Sequence, residues 1–172
     1  RIRQLSLVHL VFPTAEHSRF SHSIGVLALA SKIAQQLYEL GELDKDSLRL
    51  ARLTALLHDI GHLPWSHLGE QAYDAYISDQ ESSTDVLDLE TIGQKNWVGS
   101  DHILNRLANY SPARKLHEDI GAYLIKNHPD IKRWVGDQSE IIGGILEKSA
   151  VIEGDVSLQL IRSIISSALD AD

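Results

Sequence analysis

The stretch LLHDIGHLPWSH at positions 56–67 brings His58, Asp59, His62 and His67 within a few turns of chain. Imidazole nitrogens beside a carboxylate can bind a divalent cation, carry protons near neutral pH and offset anionic charge. A lone histidine at a helix end needs no such role, because it interacts well with the negative end of the helix dipole. The adjacent aspartate is different. At a buried helix C-terminus its charge adds to the dipole, and leaving it unpaired there is costly. A bound cation relieves this by accepting a His nitrogen and an Asp oxygen together. Such donors, with water, suit Mn, Fe, Mg or Zn rather than a thiophilic metal.

Spacing separates the histidines into two sets. His58 and His62, four apart, share a face if the helix continues that far. Pro64 stops the helix, which frees His67 to enter a cleft from a new direction. One ion does not need so many imidazoles, so the additional ones fit a proton donor and phosphate contacts. His22, in RFSHSIG, is the fourth histidine with apolar flanks. His9, His17, His102 and His128 read as structural or solvated.

The elements that must carry these residues are helical. Over 23–40 apolar residues recur at steps of three and four: Ile24, Leu27, Ala28, Ala30, Ile33, Ala34 and Leu37. Gly41 follows as a C-terminal cap. Asp46 or Ser47 can cap the next helix. Its stripe of Leu48, Ala51, Leu53, Ala55, Leu56 and Leu57 leads into the histidines. A short helix is expected over 67–76, and a polar acidic loop or insertion over 78–100. Asp101 can cap a helix over 101–108, and Ser111-Pro112 can open another with Leu116, Ile120, Tyr123 and Leu124 on one face. Helices over 139–148 and 157–169 complete the set. No segment alternates convincingly as a strand, so the class is all-α.

Composition narrows the function further. The 172 residues suit one domain, and 43% apolar content is enough for a real core. No stretch is apolar for long enough to span a bilayer, and Arg1-Ile2-Arg3-Gln4 lacks the apolar region of a signal peptide. The absence of cysteine excludes disulfides and thiolate metal sites and fits a cytoplasmic protein. The absence of methionine leads to the expectation of an internal piece of a longer protein. A net charge of −8 argues against a surface for bulk nucleic acid, while leaving room for a local cationic pocket.

Four stretches in order, IRQLSLVHLVFPTAEHSRFSHSIGV, ALLHDIGHLPWSHLGE, LHEDIG and LDAD, resemble the HD-domain phosphohydrolases. Within them the chain is similar to the deoxynucleoside triphosphate triphosphohydrolase branch. The resemblance implies a helical HD-domain bundle around a mononuclear metal site. It implies His22, His58, Asp59 and Asp172 as metal ligands, Arg19 as a phosphate contact, and Gln4 and Leu5 at the sugar. His62 and His117 are implied as phosphate-contacting or transition-state-stabilising histidines, and His67 as the catalytic one. The family has an aspartate three residues after that histidine. Here it is Glu70, which keeps the charge on a longer arm. Glu118 follows His117 as in the family, and members are often homo-oligomers.

The implied reaction is in-line attack of water on the α-phosphorus of a deoxynucleotide, giving deoxynucleoside and triphosphate. Alternatives are another HD-type nucleotide phosphohydrolase (a nucleotidase, phosphodiesterase or alarmone hydrolase) and a nucleotide-sensing module without turnover. Hydrolysis of single-stranded nucleic acid is disfavoured by the acidic balance.

Overall fold

The computed structural model describes residues 2–82, 116–147 and 154–166. Among these the regular elements are helical, and the one extended pairing is an isolated antiparallel bridge between Arg3 and Ser18. In chain order the helices are α1 (Arg19–Glu39), α2 (Lys45–Leu57), α3 (His67–Ser82), α4 (Leu116–Asn127), α5 (Pro129–Val135), α6 (Ser139–Glu147) and α7 (Val156–Ser166). Short 3-10 turns occupy Val8–Leu10 and Gly136–Gln138.

The ends of α1 and α2 follow from capping chemistry. α1 begins at Arg19, four residues before the expected start at 23. The Ser18 hydroxyl accepts from the Ser21 amide at 3.1 Å, and the Ser21 hydroxyl answers from the Ser18 amide at 3.0 Å. Periodicity alone cannot locate this start, because its first turn faces the site rather than the core. Gly41 closes α1 with φ 80, as expected. α2 is capped by Asp44, whose carboxylate accepts from the Ser47 amide at 2.7 Å, and not by Asp46 or Ser47, which lie inside the helix.

The core is built mainly where α1 packs on α2 and α4 on α6, with α7 lying against α1, α2 and α6. α1 contributes Val26, Ala30 and Ala34, and α2 contributes Ala51 and Ala55. Small side chains at these positions let neighbouring helices come close. Ile24 and Ala28, expected on the inner stripe, are exposed instead. The apolar face of α1 is wider than the buried one, so Val26 takes the inward place. Ile125, Ile142 and Ile161 are fully buried, and each contributes roughly 1.5–3 kcal/mol by leaving water.

α3 runs past the expected end at 76 to Ser82. Residues 78–82 contain neither Gly nor Pro, so nothing in them stops the hydrogen-bond ladder. Residues 83–100 of the expected loop lie outside the described residues. So do the expected helix over 101–108, the Ser111-Pro112 start, Lys148, residues 167–169 and Asp172.

Between α2 and α3 the chain turns sharply. His58 is the C-cap of α2, and the His62 amide donates to the Asp59 carbonyl at 3.3 Å. The helix therefore does not persist to His62. Trp65 and Ser66 both adopt left-handed backbone, φ 64 and 57, without being glycine. Such conformations cost on the order of 1 kcal/mol or more each and persist only where surrounding structure enforces them. They redirect the chain so that His67 opens α3 on a new axis.

Candidate metal centre

Asp59 collects partners from three segments. Its carboxylate lies 3.4 Å from His58 Nε2, 3.5 Å from His22 Nε2 and 3.2 Å from His62 Nε2. Gln4 donates its amide Nε2 to it at 2.7 Å, and Arg19 donates Nη1 at 3.3 Å. The N-terminal segment is held in place for this by backbone bonds, Gln4 N to His17 O at 3.1 Å and Arg19 N to Ile2 O at 3.0 Å. Burial pushes the Asp59 carboxyl up. The His62 hydrogen bond, the nearby His58 and the Gln4 amide outweigh that and hold it well below the usual carboxylate range. Asp59 is thus not unpaired: Arg19, Gln4 and His62 meet part of the need that the sequence assigned to a cation alone.

The donor set nonetheless fits a divalent ion. His22, His58 and Asp59 each offer a ligand atom, all within 4.8 Å of one another. His58 Nδ1 donates to the Ala55 carbonyl at 2.8 Å, which leaves Nε2 as the nitrogen that faces the site. That Nε2 faces His22 Nε2 at 3.3 Å. Two imidazole nitrogens and a carboxylate oxygen on one small volume are first-row N/O ligands.

A second cluster adjoins the first. Glu70, in the first turn of α3, has Oε1 2.7 Å from His62 Nδ1 and 3.1 Å from His117 Nδ1. Its Oε2 lies 3.2 Å from His117 Nδ1 and 3.5 Å from His67 Nδ1. The longer arm of Glu70 therefore serves three histidines, and His67, its expected partner, is the most distant. Burial raises the Glu70 pKa, but hydrogen bonds from His117 and His62 lower it further, to below the usual range. For His62 burial opposes the charge, yet bonds to Asp59 and Glu70 prevail and raise its pKa.

His117 reaches this cluster because Gly61 allows it. A side chain on Gly61 would run into the His117 carbonyl and the Gly121 backbone. With no side chain on Gly61, the start of α4 lies directly on the turn after Asp59. The His117 ring then stacks on His62, centroids 3.8 Å apart at 16°.

Both clusters open onto one cavity of about 320 Å³. Gln4, Leu5, His22, His58, Asp59, His62, His67 and His117 line it, so the site residues expected from sequence converge among the described residues. Gln4 does so by bonding Asp59. Arg19 stands behind Asp59, with Nε and Nη2 buried and lacking a partner among the described residues. Asp172, the expected fourth ligand, lies outside them. His17, read as structural or solvated, is exposed and also lines the cavity, its ring centroid 6.5 Å from that of His22. Glu118, Leu146, Ile165 and Ser166 also line it. No local pattern distinguishes His17, although it stands two residues before Arg19.

An all-α bundle with a His-Asp pair at a helix end and a distant histidine completing the donor set is the arrangement of the HD domain. The model of the HD domain family matches residues 19–171, and the chain belongs to that family. The deoxynucleoside triphosphate triphosphohydrolase SAMHD1 of Gallus gallus is 41% identical over 155 residues, covering 88% of this chain and 22% of that protein. The SAMHD1 homolog of Dictyostelium discoideum is 33% identical over 108 residues, 60% of this chain and 20% of its own. Protein MJ1154 of Methanocaldococcus jannaschii is 47% identical over 109 residues, 57% and 22% respectively. The chicken and Dictyostelium relatives support the resemblance to the triphosphohydrolase branch. The chain spans about a fifth of their length.

Proposed function

We propose that this chain is the catalytic HD domain of a deoxynucleoside triphosphate triphosphohydrolase, with residues 1–172 forming one domain. The observation that carries the reading is the convergence of His22, His58, Asp59, His62, His67 and His117 on one cavity, with Arg19 behind Asp59. The Arg19 guanidinium is largely buried beside the Asp59 cluster, and two of its nitrogens lack a partner among the described residues. A buried donor without an acceptor costs about 1–3 kcal/mol, and a phosphate oxygen is the acceptor that a planar fork fits best. The names of the chicken and Dictyostelium relatives support the deoxynucleotide as substrate.

His22, His58 and Asp59 would hold the divalent ion (Mn, Fe, Mg or Zn), with Asp172 as fourth ligand. Bound there, the ion polarises a phosphoryl oxygen and makes water more acidic. Arg19 binds and orients the phosphates. His62 and His117 offset charge that builds on the phosphate oxygens, with Glu70 holding their rings. As a water oxygen bonds to the α-phosphorus and its proton passes to solvent, the bond to the 5′-oxygen breaks. His67 gives its proton to that oxygen, because an alkoxide leaves poorly. Gln4 and Leu5 pack at the sugar. Among the described residues no helix is long and apolar enough to cross a membrane. Leu10, Val11, Phe12 and Phe20, all exposed, support a homo-oligomer as part of this reading. The reading also includes a cytoplasmic protein that does not hold bulk nucleic acid, in keeping with its net charge of −8.

The test is incubation of the full-length protein with Mn²⁺ and each dNTP, with products resolved by chromatography. Deoxynucleoside plus intact triphosphate is expected. Pyrophosphate plus monophosphate, or no turnover of any dNTP, overturns the reading, and turnover of another nucleotide class transfers it to a different HD hydrolase.

A further inference from the structure

We propose that His62, His67, Glu70 and His117 form a second divalent-cation site, beside the first and sharing no donor with it, that takes zinc-like ions. Each residue offers a ligand atom, and the four atoms lie within 4.8 Å of one another. Glu70 is their centre. Its two oxygens face three Nδ1 atoms at 2.7, 3.1 and 3.5 Å. Ligands of a tetrahedral zinc at about 2.0–2.1 Å stand roughly 3.4 Å from each other. The observed spacings bracket that value, so small side-chain rotations open the centre. An ion there takes the place of the protons that the rings now share with the carboxylate.

The surroundings suit a built site. Its donors come from three segments: the turn after α2, the first turn of α3 and the first turn of α4. Glu70 and His117 are buried, while the His67 side chain is 68% exposed and leaves a path for entry. His62 turns Nε2 toward Asp59 at 3.2 Å, and its Nδ1 remains for the ion. A carboxylate behind a ligating imidazole fixes the ring and strengthens it as a donor. Three imidazoles and one carboxylate favour zinc over magnesium, which demands octahedral oxygen ligands. Resting on the reading above, filling this site withdraws His67 and Glu70 from proton transfer, so zinc beyond the first equivalent stops hydrolysis.

The experiment counts zinc bound by the metal-free full chain after dialysis, using elemental analysis. Wild type is expected to hold two ions. His67→Ala and His22→Ala are each expected to hold one, and the double variant none. His67 is the substitution of choice because its side chain is 68% exposed and packs only edge-on against the His62 and His117 rings among the described residues; Glu70→Gln, checked for folding by circular dichroism, is the second variant and is also expected to hold one. One zinc in wild type, or two in both His67→Ala and folded Glu70→Gln, overturns the site. The count decides this whether or not any nucleotide turns over. Two bound ions with undiminished dNTP hydrolysis overturn the inhibitory consequence.

Discussion

His22 and His58 face each other Nε2 to Nε2 across 3.3 Å, although α1 and α2 deliver them from positions 36 residues apart. Two imidazole nitrogens so placed, with the Asp59 carboxylate 3.4–3.5 Å from both, converge as ligands of one ion do. Asp59→Ala is expected to remove the centre of this set and to weaken metal binding by more than about 100-fold, since even outer-sphere partners of a metal cost 10–100-fold. Elemental analysis after dialysis against the first-site metal reads this directly. Unchanged metal content would show that the donors are assigned wrongly.

Arg19 tests the phosphate contact. Arg19→Ala is expected to lower kcat/KM for dNTP hydrolysis by about 10²–10³-fold, the usual loss for a donor aimed at developing charge. Arg19→Lys keeps the charge but not the fork and recovers only part of it. Steady-state kinetics on both variants, with metal content confirmed, check the result. Equal rates in all three proteins exclude the contact.

The carboxylates and His62 give the metal-free chain a definite pH response. Asp59 and Glu70 have lowered folded pKa values, so their contribution is present above the unfolded values of about 4 and is lost as pH falls through the folded ones. His62 has a raised folded pKa, so its contribution is complete below about 6.5 and is lost as pH rises through the folded value. Stability should therefore peak between roughly pH 4.5 and 6.5. Urea unfolding across pH measures this, and His62→Gln should flatten the alkaline side.

Gly61 carries the approach of α4 to the turn after Asp59. Gly61→Ala forces a methyl group into the His117 and Gly121 backbone, where there is no flexible side chain to yield. A loss of about 3 kcal/mol is expected, at the upper end for overpacking. Urea denaturation measures it. The displaced His117 should also cost activity beyond what the stability loss explains in any surviving native fraction.

How much of this was open to a reader of the sequence depends on the range of the interaction. Leu48, Ala51 and Ala55 repeat at helical spacing and do line the core of α2. Gly41 ends α1 because a left-handed residue is needed there. Caps were less legible. Asp44, Asp46 and Ser47 are all competent N-caps, and the choice rests on where the connection from α1 leaves the chain. Residues 78–82 looked like a loop because they are polar, yet polarity alone does not unwind a helix that has already started. Ile24 and Ala28 looked internal, and only the placement of α2 and α7 decides which side of α1 is covered.

The residue types in LLHDIGHLPWSH and RFSHSIG, the helical periods around them and the HD-domain resemblance were determined by the sequence alone, since all depend on near neighbours or on ordered motifs. Tertiary structure decided which side chains meet. It brought Gln4 and Arg19 onto Asp59, made Glu70 the shared partner of His62, His67 and His117, and turned His17 into the cavity. Those outcomes hang on long-range packing, above all on Gly61 letting its backbone touch that of α4, and no local pattern encodes a distance between segments 55 residues apart.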